Sequence, residues 1–375
     1  MIPFNKPYIT GKEVHYIYDA VSSGHISGNG KYTKLCQKYF EEKYGFKKVL
    51  LTTSCTDALE MCALLIDIKP GDEVIIPSYT FVSTALAFVR QGATIVFIDS
   101  REDNPNLDEN LIEKLITEKT KAIVPVHYAG IACNMDKIMS IAEKYNLFVI
   151  EDAAQAIDSY YNGKPLGTIG HLSAFSFHET KNIQTGEGGM LGINDERFIK
   201  RAEIIWEKGT NRAEFFRGEV NKYGWVDIGS SFLPSEIIAA FLYAQIEFLD
   251  SIQTKRKEYW NTYYEKLKCL KGNHIDLIEV PDYATVNGHL FYILTKSDKE
   301  RDELIKFLKV KDIHSVFHYL SLHKSEYYKN NSQKRPNLPN SDSYADRLLR
   351  LPLYYELRLE HVVEISEAIK EFYNE

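Results

Sequence analysis

Short apolar runs alternate with segments of helical periodicity from residue 48 to about residue 193. The apolar runs are KVLLT, EVIIP, TIVFID, KAIVPV and LFVIED, and their length and β-branched content predict strands. The intervening segments, among them TDALEMCALLI and MDKIMSIAEKY, carry one apolar face and predict helices. LSAFSF and GGMLGI are two further short apolar runs. This alternation predicts an α/β fold with a large, mostly parallel sheet covered by helices.

Beyond residue 193 the pattern changes. Residues 195–208 and 235–269 are rich in helix formers, and the strand-like runs HLFYIL and SVFHYL flank the helical segment DELIKFLK. We therefore expect a large domain over residues 1–250 and a smaller α/β domain over residues 251–375, joined by a long helix.

Composition narrows the class of protein. The chain has 375 residues, 44% of them hydrophobic, and a net charge of −7, which argues against a broad nucleic-acid surface. The five cysteines form no C-x-x-C pair, as expected of a reduced cytoplasmic protein. We find no signal-peptide pattern and no apolar run of membrane-spanning length, so no membrane association is expected. His318 and His323 have no cysteine or carboxylate cluster beside them, so no metal site is expected.

Two ionisable residues follow apolar runs at predicted strand ends, where open α/β sheets bind ligands. Asp152 ends LFVIED, although it also fits a helix N-cap. Lys181 follows LSAFSF, although a lone loop lysine is usually a solvated surface charge. Polar neighbours crowd Lys181, and the glycine-rich residues 186–189 allow the backbone to approach a ligand. Pyridoxal phosphate needs such a pair, because a lysine amine bonds to its aldehyde and a carboxylate pairs with its ring nitrogen.

The same cofactor needs a phosphate site and a flat surface over its ring. Residues 52–56 (TTSCT) lie between a predicted strand and a predicted helix, where backbone N–H groups and the helix dipole favour an anion. Simple helix capping by Ser54 or Thr56 is compatible with that function. Ser176 offers a further hydroxyl, and Phe81 is placed to cover the ring, although it also fits an ordinary core position. A G-x-G-x-x-G fingerprint is absent, which disfavours dinucleotide binding.

Several motifs together resemble the DegT-type family of nucleotide-sugar aminotransferases, which have the aspartate-aminotransferase fold (fold type I of pyridoxal-phosphate enzymes). The most specific are EDAAQ and SFHETKN, and the resemblance runs nearly end to end through SGHISGNGKYT, SCTDALEM, PSYTFVSTA, PVHYAG, GEGGML and FHYLSLH. Within the family the chain looks most like the WecE-type subgroup, which aminates C4 of TDP-4-keto-6-deoxyglucose to give TDP-4-amino-4,6-dideoxygalactose for cell-surface glycans.

The resemblance implies a role for each matching residue. Lys181 carries the cofactor and transfers protons, and Asp152 pairs with the pyridinium nitrogen. The remaining cofactor contacts would be made by Gln155 at the 3-hydroxyl side, by Phe81 stacked on the ring, and at the phosphate by Cys55, Thr56 and Ser176. The expected substrates are a nucleotide sugar and L-glutamate.

The resemblance also implies a homodimer with shared active sites. Many members carry a G-Y-N-Y-R-like segment whose Asn reaches the partner's phosphate, and here the stretch is GSSFL, residues 229–233. Ser231 retains a hydrogen-bonding group, whereas Leu233 lacks the charge of an Arg. Open alternatives are amination at C3 or to the gluco epimer, a sugar dehydratase, which would carry His at position 181, and a non-catalytic regulator built on the same fold.

Overall fold

The computed structural model describes residues 1–374, and its strands form two principal sheets. The strands are β1 (Lys48–Thr52), β2 (Glu73–Pro77), β3 (Thr94–Ile98), β4 (Thr120–Ile123), β5 (Phe148–Asp152), β6 (Tyr160–Tyr161), β7 (Lys164–Pro165), β8 (Leu172–Ser176), β9 (Gly189–Ile193), β10 (Asp276–Leu277), β11 (Phe291–Leu294), β12 (Val316–Phe317) and β13 (Leu348–Leu351). β6 and β7 pair only with each other.

The large sheet has seven strands in the order β1-β9-β8-β5-β4-β2-β3. All the pairings among β8, β5, β4, β2 and β3 are parallel, and β9 runs antiparallel to both of its neighbours. The connection from β8 to β9 contains no helix that would carry the chain back for a parallel pairing. Lys181 lies on this connection, beyond the carboxyl end of β8, and the predicted mostly parallel sheet is confirmed.

Helices cover this sheet and the second one. They are α1 (Glu13–Ser22), α2 (Lys31–Tyr44), α3 (Cys55–Leu65), α4 (Ser83–Val89), α5 (Ile112–Leu115), α6 (Met135–Tyr145), α7 (Ile199–Trp206), α8 (Arg212–Phe216), α9 (Glu236–Ile246), α10 (Leu249–Leu267), α11 (Asp298–Val310), α12 (Glu326–Asn331), α13 (Pro339–Arg347) and α14 (Leu359–Phe372). Short 3₁₀ turns occur at Tyr128–Gly130, Glu196–Phe198, Lys268–Leu270 and Leu322–Lys324. Within residues 1–374, none of the helices is both long and apolar enough to cross a membrane.

The second sheet is antiparallel, in the order β10-β11-β13-β12, and packs with the C-terminal helices around its own apolar cluster. That cluster also takes in Ile2, which pairs with Ile313, and Tyr79 and Tyr128 from loops of the large sheet. The two sheets therefore meet where the parallel strands end. The expected boundary after residue 250 falls in the first turn of α10, and the division into residues 1–250 and 251–375 stays a prediction, with residue 375 outside the described chain.

Three elements are shorter than the sequence pattern indicated. The run LIEKLI at residues 111–116, which the sequence pattern predicts to be helical, forms only the one-turn α5, and SVFHYL pairs only at Val316–Phe317. The helix-forming stretch 235–269 is divided into α9 and α10 by a break at residues 247–248. Periodicity detected the type of each element, while tertiary packing set its ends.

Candidate active site

A cavity of about 400 Å³ opens beyond the carboxyl ends of β1, β5 and β8, a size that suits a small organic ligand. The sequence predicted eight site residues, and seven of them border this cavity: Cys55, Thr56, Phe81, Asp152, Gln155, Ser176 and Lys181. These residues come from separate loops, so the sheet brings them together as its topology predicts. The eighth, Ser231, is exposed and does not border the cavity.

Lys181 projects from the β8–β9 connection into an environment that disfavours its charge. Burial lowers the pKa of its amine to about 8, and the positive charge of Arg350 acts in the same direction. Cys55 and Asp152 partly oppose this shift. Because a lysine with an ordinary pKa is almost wholly protonated near neutral pH, the lowered value increases the fraction of free amine. The solvated-surface alternative for Lys181 is therefore wrong.

Asp152 is buried at the end of β5, the middle strand of the large sheet. Its Oδ2 accepts a hydrogen bond from Thr84 Oγ1 at 2.7 Å, and its Oδ1 accepts one from the N–H of Ala154 at 3.2 Å. Turns rather than a helix follow Asp152, so the N-cap interpretation is wrong. Burial raises its pKa, although Thr84, Ala154, Lys181 and His127 oppose the shift. The carboxylate makes no ion pair among residues 1–374, so a cationic ring would supply the close positive charge it lacks.

The N-terminus of α3 forms one wall of the cavity. Ser54 caps the helix, its Oγ accepting from the N–H of Asp57 at 3.1 Å. The first N–H groups of a helix have no partner within it, and here they belong to Cys55 and Thr56. Thr56 Oγ1 donates to Ser83 Oγ at 2.8 Å, so hydroxyls are concentrated at this end. Gly189 packs against the turn: a Cβ there would lie 2.5 Å from the backbone N of Cys55.

The side chains of Gln155 and Tyr319 form a hydrogen bond at the cavity. The N–H of Ala129 donates to Gln155 Oε1 at 2.7 Å, which leaves its Nε2 to donate to the Tyr319 hydroxyl at 3.2 Å. Tyr319 has a φ of 45°, an unusual conformation for a bulky residue, and its ring stacks on His318 at 3.5 Å. The ring centroids of Phe81 and Tyr319 are 6.0 Å apart, and Phe81 is 56% exposed. The core interpretation of Phe81 is therefore wrong.

The cavity residues without a role in the sequence-based prediction include Thr84, His289, His318 and Arg350. Asn182 Oδ1 accepts from His289 Nδ1 at 2.9 Å, because the amide nitrogen of Asn182 is donated to Gln253 and to the backbone of Asn287. The neutral His289 ring therefore keeps Nε2 as an acceptor. The sequence did contain one indication of Arg350, because this arginine interrupts the apolar run LLRLPL. A charged side chain buried in such a run is costly unless an anion approaches it.

The sheet topology and this cavity define the class of pyridoxal-phosphate-dependent aminotransferases, as comparison with known proteins confirms. The sugar aminotransferase Spr1654 of Streptococcus pneumoniae, described as putative, has a TM-score of 0.93 to this structure in its PMP form, with 28% identity over 100% of this chain and 99% of its own. The same protein is also known in a PLP form, with a TM-score of 0.91. The predicted fold is confirmed.

The model of the DegT/DnrJ/EryC1/StrS aminotransferase family matches residues 7–370, and the chain belongs to this family. The GDP-perosamine synthase of Escherichia coli O157:H7 is 35% identical over 100% of this chain and 99% of its own length. The spore coat polysaccharide biosynthesis protein SpsC of Bacillus subtilis is 33% identical over 99% of this chain and 96% of its own length.

The protein is thus a sugar aminotransferase whose cofactor is pyridoxal phosphate, and both predictions are confirmed. The regulator and dehydratase alternatives find no support in these relatives. The cavity also fits the cofactor chemically. It offers a partly neutral amine at Lys181, a buried carboxylate at Asp152 and a hydroxyl-lined helix N-terminus at residues 54–56.

Proposed function

We propose that this enzyme transfers the amino group of L-glutamate to C4 of TDP-4-keto-6-deoxy-D-glucose and produces TDP-4-amino-4,6-dideoxy-D-galactose. The observation that carries the catalytic part is the presence of Lys181, Asp152 and the α3 N-terminus around one cavity. The choice of sugar rests on the length of the WecE-type resemblance, including PSYTFVSTA and FHYLSLH.

In this proposal each cavity residue has one task. The bound cofactor supplies an aldehyde that takes up the amino group and a ring that delocalises negative charge. Lys181 attaches the cofactor and then, once released, moves a proton to and from the reacting carbon. Asp152 stays ionised and keeps a proton on the ring nitrogen.

The other residues orient the cofactor. Cys55, Thr56 and Ser176 hold its phosphate, Phe81 covers its ring, and Gln155 contacts the side that bears the 3-hydroxyl. The lowered pKa of Lys181 suits its task, because a base must be deprotonated near the working pH to accept a proton. The side of the sugar that faces the Lys181 amine determines the configuration at C4.

The nucleotide of the substrate and the position of amination each have a specific alternative. GDP-perosamine synthase, at 35% identity, bears a name that contains a guanosine nucleotide, so a GDP-linked keto-sugar is the alternative substrate. Amination at C3, or at C4 to the gluco epimer, is the alternative outcome, because the same lysine serves any ketone placed over it. We propose cell-surface glycan synthesis as the purpose, with O-antigen, other lipopolysaccharide and enterobacterial common antigen as destinations.

We further propose a cytoplasmic homodimer with shared active sites. The segment between α7 and α9, residues 207–235, carries exposed aromatic and aliphatic side chains, which support an interface there. Trp225 is 85% exposed and Phe216 is 70% exposed. Ser231 lies in the same segment and forms an isolated antiparallel β-bridge with Glu207. In the dimer, Ser231 would donate to the cofactor phosphate of the partner subunit. The five cysteines are all unpaired, which agrees with a reducing compartment.

The test is product analysis by NMR. The purified enzyme is supplied with L-glutamate and, in parallel reactions, with the TDP-linked and the GDP-linked 4-keto-6-deoxyhexose. Nitrogen on C4 with small H3–H4 and H4–H5 couplings, from the TDP-linked substrate, is the expected result. Large couplings or nitrogen on C3 would contradict the proposed regiochemistry or stereochemistry, and preferential use of the GDP-linked substrate would contradict the proposed nucleotide.

A further inference from the structure

The amine of Lys181 borders the cavity without a hydrogen bond or an ion pair to any group in the part of the chain that the structure describes. The groups that favour its charge are Cys55 and Asp152. Asp152 already accepts hydrogen bonds from Thr84 and Ala154, and in the proposed function the cofactor occupies both Asp152 and Cys55. The amine is therefore a donor whose partner must come from another wall of the cavity.

The ring and the backbone of His289 are held by hydrogen bonds on three sides. Its Nδ1 donates to Asn182 Oδ1 at 2.9 Å, and its backbone N–H donates to Asn287 Oδ1 at 2.9 Å. Its carbonyl accepts from Arg256 Nη2 at 2.7 Å. His289 is also buried, so these bonds fix the place of the ring at the cavity wall.

The His289 ring offers the cavity an acceptor rather than a donor. Burial lowers its pKa well below the usual range, and the charges that act in the same direction are those of Lys181, Arg256, Arg350 and His318. The ring is therefore neutral near neutral pH, and its one proton lies on Nδ1, where Asn182 holds it. The lone pair on Nε2 receives no hydrogen bond from any residue between 1 and 374.

Two observations place this ring beside the Lys181 amine. Asn182, which holds the ring, directly follows Lys181 in the chain, and both Lys181 and His289 border the same cavity. Among the charges that act on His289, that of Lys181 has the largest effect. An unpartnered donor and an unpartnered acceptor thus face one cavity from neighbouring parts of its wall.

We propose that His289 Nε2 accepts a hydrogen bond from the Lys181 amine once that amine is released from the cofactor, a positioning role that rests on the proposed transamination. An amine with one N–H held in this way has less freedom to rotate, so its lone pair keeps one direction. The bond also favours the protonated amine and limits how far burial lowers the pKa of Lys181. Because Lys181 moves a proton in both half-reactions, His289 serves both.

The experiment compares wild type with His289→Gln and His289→Met. The two replacements have similar length, but glutamine retains an oxygen acceptor whereas methionine has only a weakly accepting thioether. His314→Met is the matched control, because it makes the same exchange at an exposed histidine that does not border the cavity. Each apoprotein is mixed with pyridoxal phosphate, and the rate of covalent adduct formation is measured across neutral and alkaline pH.

We expect the midpoint of this pH profile to fall by about one unit in His289→Met, because the ammonium loses an acceptor. His289→Gln and His314→Met should stay close to wild type. A purely structural role predicts the opposite direction, since loosened packing admits water and returns the amine toward an ordinary lysine pKa. An unchanged or raised midpoint in His289→Met, or an equal fall in His289→Gln, would overturn the proposal.

The holoenzyme provides a second measurement. Rapid mixing with L-glutamate, and separately with the keto-sugar, should show both half-reactions slowed about 10-fold in His289→Met, because the proton-transferring amine is less well oriented. A loss confined to one half-reaction would indicate contact with that substrate and would contradict the proposal. In wild type loaded with pyridoxamine phosphate, nitrogen NMR should show Nε2 of His289 unprotonated, and a protonated Nε2 would overturn the proposal even if a variant fails to fold.

These outcomes separate this proposal from the function on which it rests. If wild type forms no adduct at Lys181, the role proposed for Lys181 fails, and that of His289 fails with it. If wild type forms the adduct with a midpoint near pH 8 and His289→Met matches it, only the positioning role of His289 is refuted.

Discussion

The hydroxyl of Thr84 donates a hydrogen bond to Asp152 Oδ2 across 2.7 Å, linking the start of α4 to the middle strand of the large sheet. Thr84 has one hydroxyl proton, so the Thr80 hydroxyl, 2.9 Å away, must donate to Thr84 in turn. This chain of hydroxyls favours the ionised form of a carboxylate whose pKa burial raises. The sequence offered no indication of Thr84, because its part depends on contact between distant segments.

Replacing Thr84 with Val should therefore move the pKa of Asp152 further upward. We expect the glutamate half-reaction to slow about 10-fold near neutral pH, because a hydrogen bond to a charged group is lost. The deficit should shrink as pH rises, since a raised carboxyl pKa costs least where the group is already ionised. The measurement is the pH profile of the half-reaction, with Thr80→Val as the milder control. A profile identical to wild type would mean that Thr84 does not tune Asp152.

Asp152→Asn should slow the chemical step strongly and leave the fold intact. An amide cannot keep the ring nitrogen protonated, so the cofactor would no longer stabilise the carbanion. Single-turnover reaction with L-glutamate measures the effect, and circular dichroism checks the fold. An unchanged rate would limit Asp152 to the structural contacts with Thr84 and Ala154.

The amine of Lys181 should react at a lower pH than an ordinary lysine. With a pKa of about 8, its neutral fraction rises as pH rises through that value, whereas an exposed lysine becomes neutral only above pH 10. Apoprotein mixed with pyridoxal phosphate should thus form its covalent adduct with a half-maximal rate near pH 8. Lys181→Ala should form no adduct and should have no turnover while still binding the pyridoxamine product. Steady-state turnover of Lys181→Ala comparable to wild type would refute the assignment.

Gly189→Ala should damage the phosphate site. A Cβ at this position would lie 2.5 Å from the backbone N of Cys55, so the α3 N-terminus would have to move. We expect at least a 10-fold loss of cofactor affinity, measured by equilibrium dialysis of the reconstituted protein. Gly224→Ala is the control, because a Cβ there meets open space. Equal affinities in the two variants would show that the close approach of Gly189 does not shape the site.

Ser231→Ala should weaken cofactor binding only in the dimer. The proposed contact crosses to the other subunit, so dilution that separates the subunits should abolish the difference from wild type. Ser230→Ala, one residue earlier in the same exposed segment, is the control. Cofactor affinity is measured alongside sedimentation at several protein concentrations. A fully active monomer would contradict the shared site.

The sequence by itself determined the chemical class of this protein. Periodicity marked the strands around Asp152 and Lys181, because a buried parallel strand needs a continuous apolar run. Ligands of such sheets bind at strand ends, so Asp152, Lys181, Ser176, Phe81 and the turn at residues 55–56 could be predicted from local context, whereas the role of Gln155 came from the family resemblance. All seven residues border one cavity. Local patterns sufficed because each of these residues lies at the end of a strand, in the loop that follows a strand, or in the first turn of a helix.

Only the tertiary structure decided which groups surround Asp152 and Lys181. Thr84 lies 68 residues before Asp152, and the packing of α4 against β5 brings the two side chains into contact. Arg350 lies far beyond Lys181 in the chain and reaches the cavity from β13 of the second sheet. Arg350 appeared in the sequence as a charge in an apolar strand, and nothing local indicates that no carboxylate approaches it. Electrostatic environment sums over everything nearby in space, so the lowered pKa of Lys181 and the unpartnered guanidinium became visible only in the folded chain.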